Sequence, residues 1–300
     1  MKVAITGSTG LVGHALVETL KRHQIQVVRL VRGETHSADD VSWDPASGKL
    51  DAAKLKGIDA VVNLAGDNIA SGRWTLEKKQ RIFNSRLQAT KLLMETLAQL
   101  EQPPATVISA SAIGYYGCRG DERLTESSAN GDGFLAMVCR EWEQAALHSP
   151  LAQAGSRVIL SRFGIILSPQ GGALAKMLPP FQMGAGGILG NGKQYMSWIA
   201  LPDVASVLHH LLVTPGVAGA VNVVAPNPVR NSEFTRALGE VLGRPTLFPV
   251  PAFGAKLLFG QMADELLLAS TNVSAEKLLA SGYEFRFASI QPALQHLLRA

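Results

Sequence analysis

The chain has 300 residues, 47% of them hydrophobic and only 17% charged, enough apolar material for a large buried core, which excludes disordered and fibrous classes. Its net charge of +4 comes from Lys and Arg scattered without a dense basic run, which argues against nucleic acid as a partner and leaves small anionic ligands. Two cysteines, Cys118 and Cys139, are too few for a disulfide framework, no apolar run approaches the ~18 residues that span a bilayer, and no charged-then-apolar leader precedes the first strand, so no membrane association and a cytoplasmic location are expected.

Residues 2 to 13 read KVAITGSTGLVG, a short apolar strand running into glycines at 7, 10 and 13. Gly7 and Gly10 permit a tight turn and close backbone approach, and Gly13 lets the following helix pack on the strand. Free amides and the positive end of the helix dipole converge at that helix N-terminus, which suits the pyrophosphate of a dinucleotide. The expected cofactor contacts there are Gly7, Thr9, Gly10, Leu11, Val12 and Gly13. Strand-like runs at 2–6, 26–31, 59–63, 105–110 and 156–161 alternate with helical patterns at 11–23, 75–100 and 133–148. That alternation predicts an α/β fold, a Rossmann-type doubly wound parallel sheet. Thr75 stands ahead of the second helix as a candidate N-cap. After about position 165 glycines cluster at 184–192, prolines multiply and the helical patterns shorten. The expected division is a cofactor-binding domain over 1–165 and a smaller substrate lobe over 166–300.

The second strand ends VVRLVRGE, where a dinucleotide site reads the adenosine ribose. NAD sites usually place a carboxylate there, whereas Arg32 offers a guanidinium fork to a 2′-phosphate, so NADP(H) is expected over NAD(H). The alternative is a solvated strand-end charge. Downstream, AVVNLAG at 60–66 would present the backbone of Leu64, Ala65 and Gly66 to the nicotinamide-side ribose.

The TGxxGxxG spacing of the opening resembles the atypical and extended short-chain dehydrogenase/reductase superfamily, which includes sugar-nucleotide epimerases and dehydratases. NLAGDNIA at 63–70, SRLQAT at 85–90, SASAIGYYG at 109–117, LPPFQMGAGGILGNGKQYMSWI at 178–199 and NVVAPNPVRN at 222–231 are similar to one epimerase-like family within it, nearly end to end. The resemblance implies a C-terminal lobe with segments returning to the main sheet. It also implies that Arg86 lies near the cofactor's phosphates or ribose, with Arg81 a weaker candidate; for both, an ion pair is the alternative.

Hydride chemistry in that superfamily uses a Ser or Thr toward the substrate oxygen and a Tyr whose phenol gives or takes the proton, with a Lys four residues on that lowers the phenol pKa. Ser109 and Ser111 end a strand, where open α/β sheets place reacting groups, and Ser111 is the better placed. The Tyr-Lys pair is missing: aligning Glu143 with the acid that follows the usual lysine puts Leu135 and Cys139 at those positions. Tyr115 and Tyr116 follow Ser111 closely, and Tyr116 is the candidate substitute; packing against the cofactor is the alternative. Cys139 on an apolar helix stripe reads as a core residue rather than a nucleophile, and the seven histidines show no i, i+4 pair, so no metal site is expected.

The glycine-rich span 184–192, followed by Lys193, Gln194 and Tyr195, is the expected substrate-facing element, with Arg162 as an added cation. Asp203 resembles the acid of an extended-reductase signature and is expected to cap the helix from Val204, and Asn222 and Asn231 are either substrate-side or loop-ordering. Together these point to an NADP(H)-binding epimerase-like oxidoreductase acting on a small polar metabolite. The alternative is a catalytically weak NADPH-binding or redox-sensing protein acting through a partner. Monomer and homodimer stay equally open.

Overall fold

Period-two alternation of apolar residues builds the centre of the molecule. In the computed structural model, which describes residues 1–35, 37 and 39–299, the strand β1 (Lys2–Thr6) turns Val3 and Ile5 to one face and Ala4 to the other. The further strands are β2 (Gln26–Val31), β3 (Asp40–Asp44), β4 (Lys49–Leu50), β5 (Ala60–Asn63), β6 (Thr106–Ala112), β7 (Arg123–Leu124) and β8 (Arg157–Phe163). The short β9 (Ile165–Ser168), β10 (Tyr195–Met196) and β11 (Trp198–Ala200) follow, then β12 (Gly219–Val223), β13 (Val229–Arg230) and β14 (Asn272–Val273). Eight of them form one sheet in the order β12-β8-β6-β5-β1-β2-β3-β4, parallel except for β4 at the edge.

Helices cover both faces. Among α1 (Leu11–Arg22), α2 (Leu76–Ala98), α3 (Phe134–Leu147), α4 (Pro150–Gln153), α5 (Gly172–Gln182) and α6 (Leu201–Val213), the pair α1 and α6 packs over Val3, Ile5 and Ile108. On the opposite face Ala89, Leu93 and Leu97 of α2 meet Ala4, Val61 and Val107. A fully covered parallel sheet needs strands that are apolar on both sides, which these are. The expected doubly wound parallel sheet is therefore observed. Thr75 caps α2, its hydroxyl accepting from the Lys78 amide.

The C-terminal half does not stand apart from this sheet. It runs through α7 (Asn231–Leu242), α8 (Ala252–Phe259), α9 (Glu276–Ala280) and α10 (Ile290–Arg299), with its own core around Trp198, Phe234 and Leu294. Yet β12 pairs with β8, and α6 lies on α1. Asp203 does not cap α6, whose N-cap is Ala200. Its buried carboxylate instead accepts from the amides of Arg286 and Phe287 (2.9 and 3.0 Å) and from the Tyr283 hydroxyl (3.0 Å), tying α6 to the chain before α10. No helix among the described residues is long and apolar enough to cross a membrane.

Where α1 meets α6, the His23 and His209 rings stack at 3.9 Å. Burial, then the neighbouring His23 and His210, depress the imidazole pKa of His209. The unfolded chain regains the ordinary value of about 6.5, so below that pH it binds more protons than the native state and stability falls with acidification. The thermal midpoint is expected to drop between about pH 7.5 and pH 5.5, and His209→Gln to flatten part of that slope. An unaltered slope in the variant would show that the stacked pair makes no contribution.

Candidate functional site

The strand order reverses at β1, with β2 on one side and β5 on the other, and open α/β sheets bind ligands outside the carboxyl ends of the strands at such a point. The glycine loop fills it. Gly7 has φ +66°, and a methyl group there would stand 2.8 Å from the Leu64 carbonyl oxygen; at Gly13 it would meet the Gly7 oxygen at 2.2 Å. A side chain at either position would push α1 off the sheet. Gly10 is the N-cap of α1, which has no side-chain cap and no acid in its first turn, leaving its first amides open to an anion. The Ser8 hydroxyl is buried in the loop with no partner among the described residues.

Thr6 ties this loop to the next strand. Its hydroxyl donates to Asn63 Oδ1 at 2.7 Å and accepts from the amides of Leu64 and Ala65 at 3.0 and 3.1 Å. Asn63 in turn donates to the Thr90 hydroxyl on α2, which also accepts from the Trp142 indole on α3. Gly66 follows, with the Arg86 guanidinium against it. Arg32 stands apart at the end of β2, exposed and without an ion-pair partner among the described residues. Thus Gly7, Gly13, Leu64 and Ala65 share one side of the crevice, Gly66 and Arg86 the next, and Arg32 the far end.

Ser111 sits in a buried polar chain at the carboxyl ends of β6, β8 and β12. Its hydroxyl donates to Glu143 Oε1 at 2.6 Å, and Arg162 grips both Glu143 oxygens at 2.8 Å. The third Arg162 nitrogen, Nη1, donates to the Tyr116 oxygen at 2.9 Å, and Tyr116 donates to Asn222 Oδ1 at 2.6 Å. Asn222 continues to the Ser274 carbonyl, so it orders the C-terminal segment. Two expectations change here. Arg162 is buried against Glu143 and adds no cation to the 184–192 loop. Tyr116 is 0% exposed, and burial, only partly opposed by Arg162, pushes its phenol up to about 12. A phenol without solvent contact, committed to two internal partners, is poorly placed to exchange protons with a substrate. Tyr115 stacks on the Arg162 guanidinium at 3.6 Å and is only half-buried.

Cys139 is a core residue, its thiol pushed up to about 11 chiefly by burial and then by the Glu143 charge. Asn231 accepts from the Leu189 amide at 2.8 Å and so orders the glycine-rich loop. One group went unread in the sequence. Glu265, from the C-terminal segment, accepts from the amides of Phe134 and Leu135 at 3.1 and 2.8 Å, satisfying the first turn of α3. With 130 residues between them, no local pattern announces that pairing.

A family model described as the NAD dependent epimerase/dehydratase family matches residues 3–224. The chain belongs to that family. Residues 250–297, the stretch that supplies Glu265, match a domain of unknown function, DUF1731. An epimerase family protein of Mycobacterium bovis is 42% identical over 292 residues, covering 97% of this chain and 96% of its own. The crystal structure of the human epimerase family protein SDR39U1 with NADPH superposes with a TM-score of 0.92 at 33% identity, covering 100% of this chain and 99% of that one. A nucleoside-diphosphate sugar epimerase from Corynebacterium glutamicum, 38% identical, gives a TM-score of 0.81 over 99% of this chain and 58% of its own.

Within this member of the epimerase/dehydratase family, the Arg162–Glu143 pair gives a direct test of the buried network. Arg162→Met leaves the Glu143 carboxylate buried and unpaired, which should cost about 3–5 kcal/mol in urea denaturation. Adding Glu143→Leu removes the stranded charge and should restore part of the loss. A single variant as stable as the parent would mean that the pair is solvated in solution.

Proposed function

We propose that the chain binds NADP(H) and acts as an epimerase-like oxidoreductase on a small polar metabolite. The reading is carried by one pairing: a glycine loop with open amides at the strand switch, and an exposed Arg32 at the tip of β2 that has no ion-pair partner among the described residues. The residues fit the cofactor. Gly7 and Gly13 leave no room for side chains where the loop must hug the sheet, and the orphaned Ser8 hydroxyl lies in that same loop. Gly7, Thr9, Gly10, Leu11, Val12 and Gly13 would hold the pyrophosphate, Arg32 the 2′-phosphate, and Leu64, Ala65, Gly66 and Arg86 the nicotinamide side. That the human relative was crystallised with NADPH supports the same choice.

When bound, the nicotinamide supplies a hydride donor or acceptor. The chain's own part is orientation. Because the Ser111 hydroxyl proton is engaged by Glu143, its oxygen offers lone pairs, so Ser111 orients a substrate group that carries a hydrogen, such as an alcohol. Tyr116 we assign to holding Arg162 and Asn222 in place rather than to proton transfer. A specific observation also favours a catalytically weak NADPH-binding or redox-sensing protein acting through a partner. With Glu143 aligned to the acid that follows the usual lysine, Leu135 and Cys139 fall at the usual Tyr and Lys positions, and a missing general acid typically removes about 10²–10⁴ in rate.

A charge-assisted fork worth about 1.5–3 kcal/mol should make NADPH bind roughly 10- to 100-fold more tightly than NADH. In a parallel fluorescence titration, Arg32→Ala should erase that gap by weakening NADPH alone. Equal affinities in the parent chain would remove Arg32 from the site.

A further inference from the structure

Exposed apolar side chains collect at one end of the molecule. Met183, Leu247, Phe248, Phe253, Leu257 and Leu258 are each between 63 and 76% exposed. At more than ~100 Å² apiece, they exceed the roughly 300–600 Å² of apolar patch that a monomer ordinarily leaves in water. They lie together because the loop 183–190 runs alongside the chain at 245–252. The Val250 amide donates to the Ile188 carbonyl at 2.8 Å, the Gly190 amide donates to the Val250 carbonyl at 2.9 Å, and a methyl group on Gly184 would stand 3.9 Å from Pro245 Cγ. α8 forms a ridge on this base. Of its eight described residues only Ala255 is buried, and Phe253 and Leu257, four positions apart, share the outward stripe with Leu258 beside them.

The rim of the patch is cationic. Arg73 reaches the last turn of α8 and donates to the Leu257 carbonyl at 3.1 Å, Lys176 donates to the Ala70 carbonyl in the loop that carries Arg73, and Arg244 stands next to Pro245. None of these three has a carboxylate partner among the described residues, whereas Lys256 is neutralised by Asp264 at 2.7 Å. That charge decides between occupants. A two-fold contact pairs a surface with itself, so a second copy would crowd two cationic rims around one apolar centre. A bilayer with anionic headgroups takes protruding Phe and Leu side chains at the acyl boundary and attracts Lys and Arg around them. The sequence expectation of no membrane association concerns spanning runs, and a face lying on the surface needs none.

We propose that this face docks the chain on the surface of an anionic bilayer, with Leu247, Phe248, Phe253, Leu257 and Leu258 entering the headgroup–acyl boundary and Arg73, Lys176 and Arg244 facing the headgroups. The docking is independent of the cofactor reading above.

The test is flotation of the full chain with vesicles of phosphatidylcholine alone and of phosphatidylcholine with about one-third phosphatidylglycerol, at low salt and at about 0.5 M salt. The chain should partition onto the anionic vesicles at least tenfold better than onto the neutral ones, and high salt should remove most of that preference. Phe253→Glu with Leu257→Glu should abolish flotation at an unchanged thermal midpoint; should that pair lower the midpoint, Leu247→Glu with Phe248→Glu carries the test. Lys176→Gln with Arg244→Gln should weaken binding by about 25-fold, near fivefold per cation. Equal partition onto both vesicles, or undiminished flotation of the folded apolar variants, overturns the docking face. A parent chain that floats with neither vesicle overturns it too, and if that chain sediments as a dimer that Phe253→Glu with Leu257→Glu dissociates, the face is an interface between copies.

Discussion

The Arg162–Glu143 ion pair is the constraint on which the carboxyl end of the sheet at β6, β8 and β12 depends. Both charges are buried, and burying two ions is favourable only when geometry and further hydrogen bonds compensate the lost water. Here the guanidinium meets the carboxylate through two parallel bonds, and the remaining polar atoms are satisfied by Ser111, Tyr116 and the Glu126 carbonyl. β6, β8, α3 and the turn after β6 thereby acquire fixed positions relative to one another. Through Tyr116 and Asn222 the same chain reaches Ser274, so the C-terminal segment is held by the charge pair as well.

That arrangement separates two kinds of recognition. At the β1–β2 end the chain offers backbone amides, a positive φ glycine and an exposed guanidinium, groups suited to reading charge and shape with little rearrangement. At the carboxyl ends of β6 and β8 the groups are buried side chains already joined by hydrogen bonds. The Ser111 hydroxyl donates its hydrogen to Glu143 and keeps only its lone pairs free, and the enclosed Tyr116 phenol accepts from Arg162 and donates to Asn222. The two ends of the crevice therefore present different physical forces, open charge and backbone at one and a pre-assigned network of hydrogen bonds at the other.

The parts legible in the sequence were those governed by local rules. β1, the glycine turn and α1 follow from residue type and period alone, and the Thr75 cap from a hydroxyl at a helix start. Other features depend on distant partners. β3, with the sequence DVSWD, has only two apolar side chains and is held to β2 partly by the Arg29–Asp40 pair, so its pattern is faint. Arg162 looks like a free cation until Glu143 is seen beside it. Asp203 looks like a helix cap until the chain at 283–287, eighty residues on, is brought to its carboxylate. In each case a charged residue's meaning was set by a neighbour that only tertiary folding supplies.

Glu265 bears on how far the two matched regions can vary independently of each other. The helix that faces the crevice belongs to the stretch matching the epimerase/dehydratase model, while the carboxylate that completes its first turn belongs to the stretch matching DUF1731. Each segment carries one side of a bond whose other side lies in its companion. A gene in which the two stretches were exchanged independently between distant relatives would leave the amides of residues 134 and 135 facing an ill-matched surface. The two matched regions are therefore tied to each other by hydrogen bonds, and the boundary between them is not a seam along which the molecule comes apart.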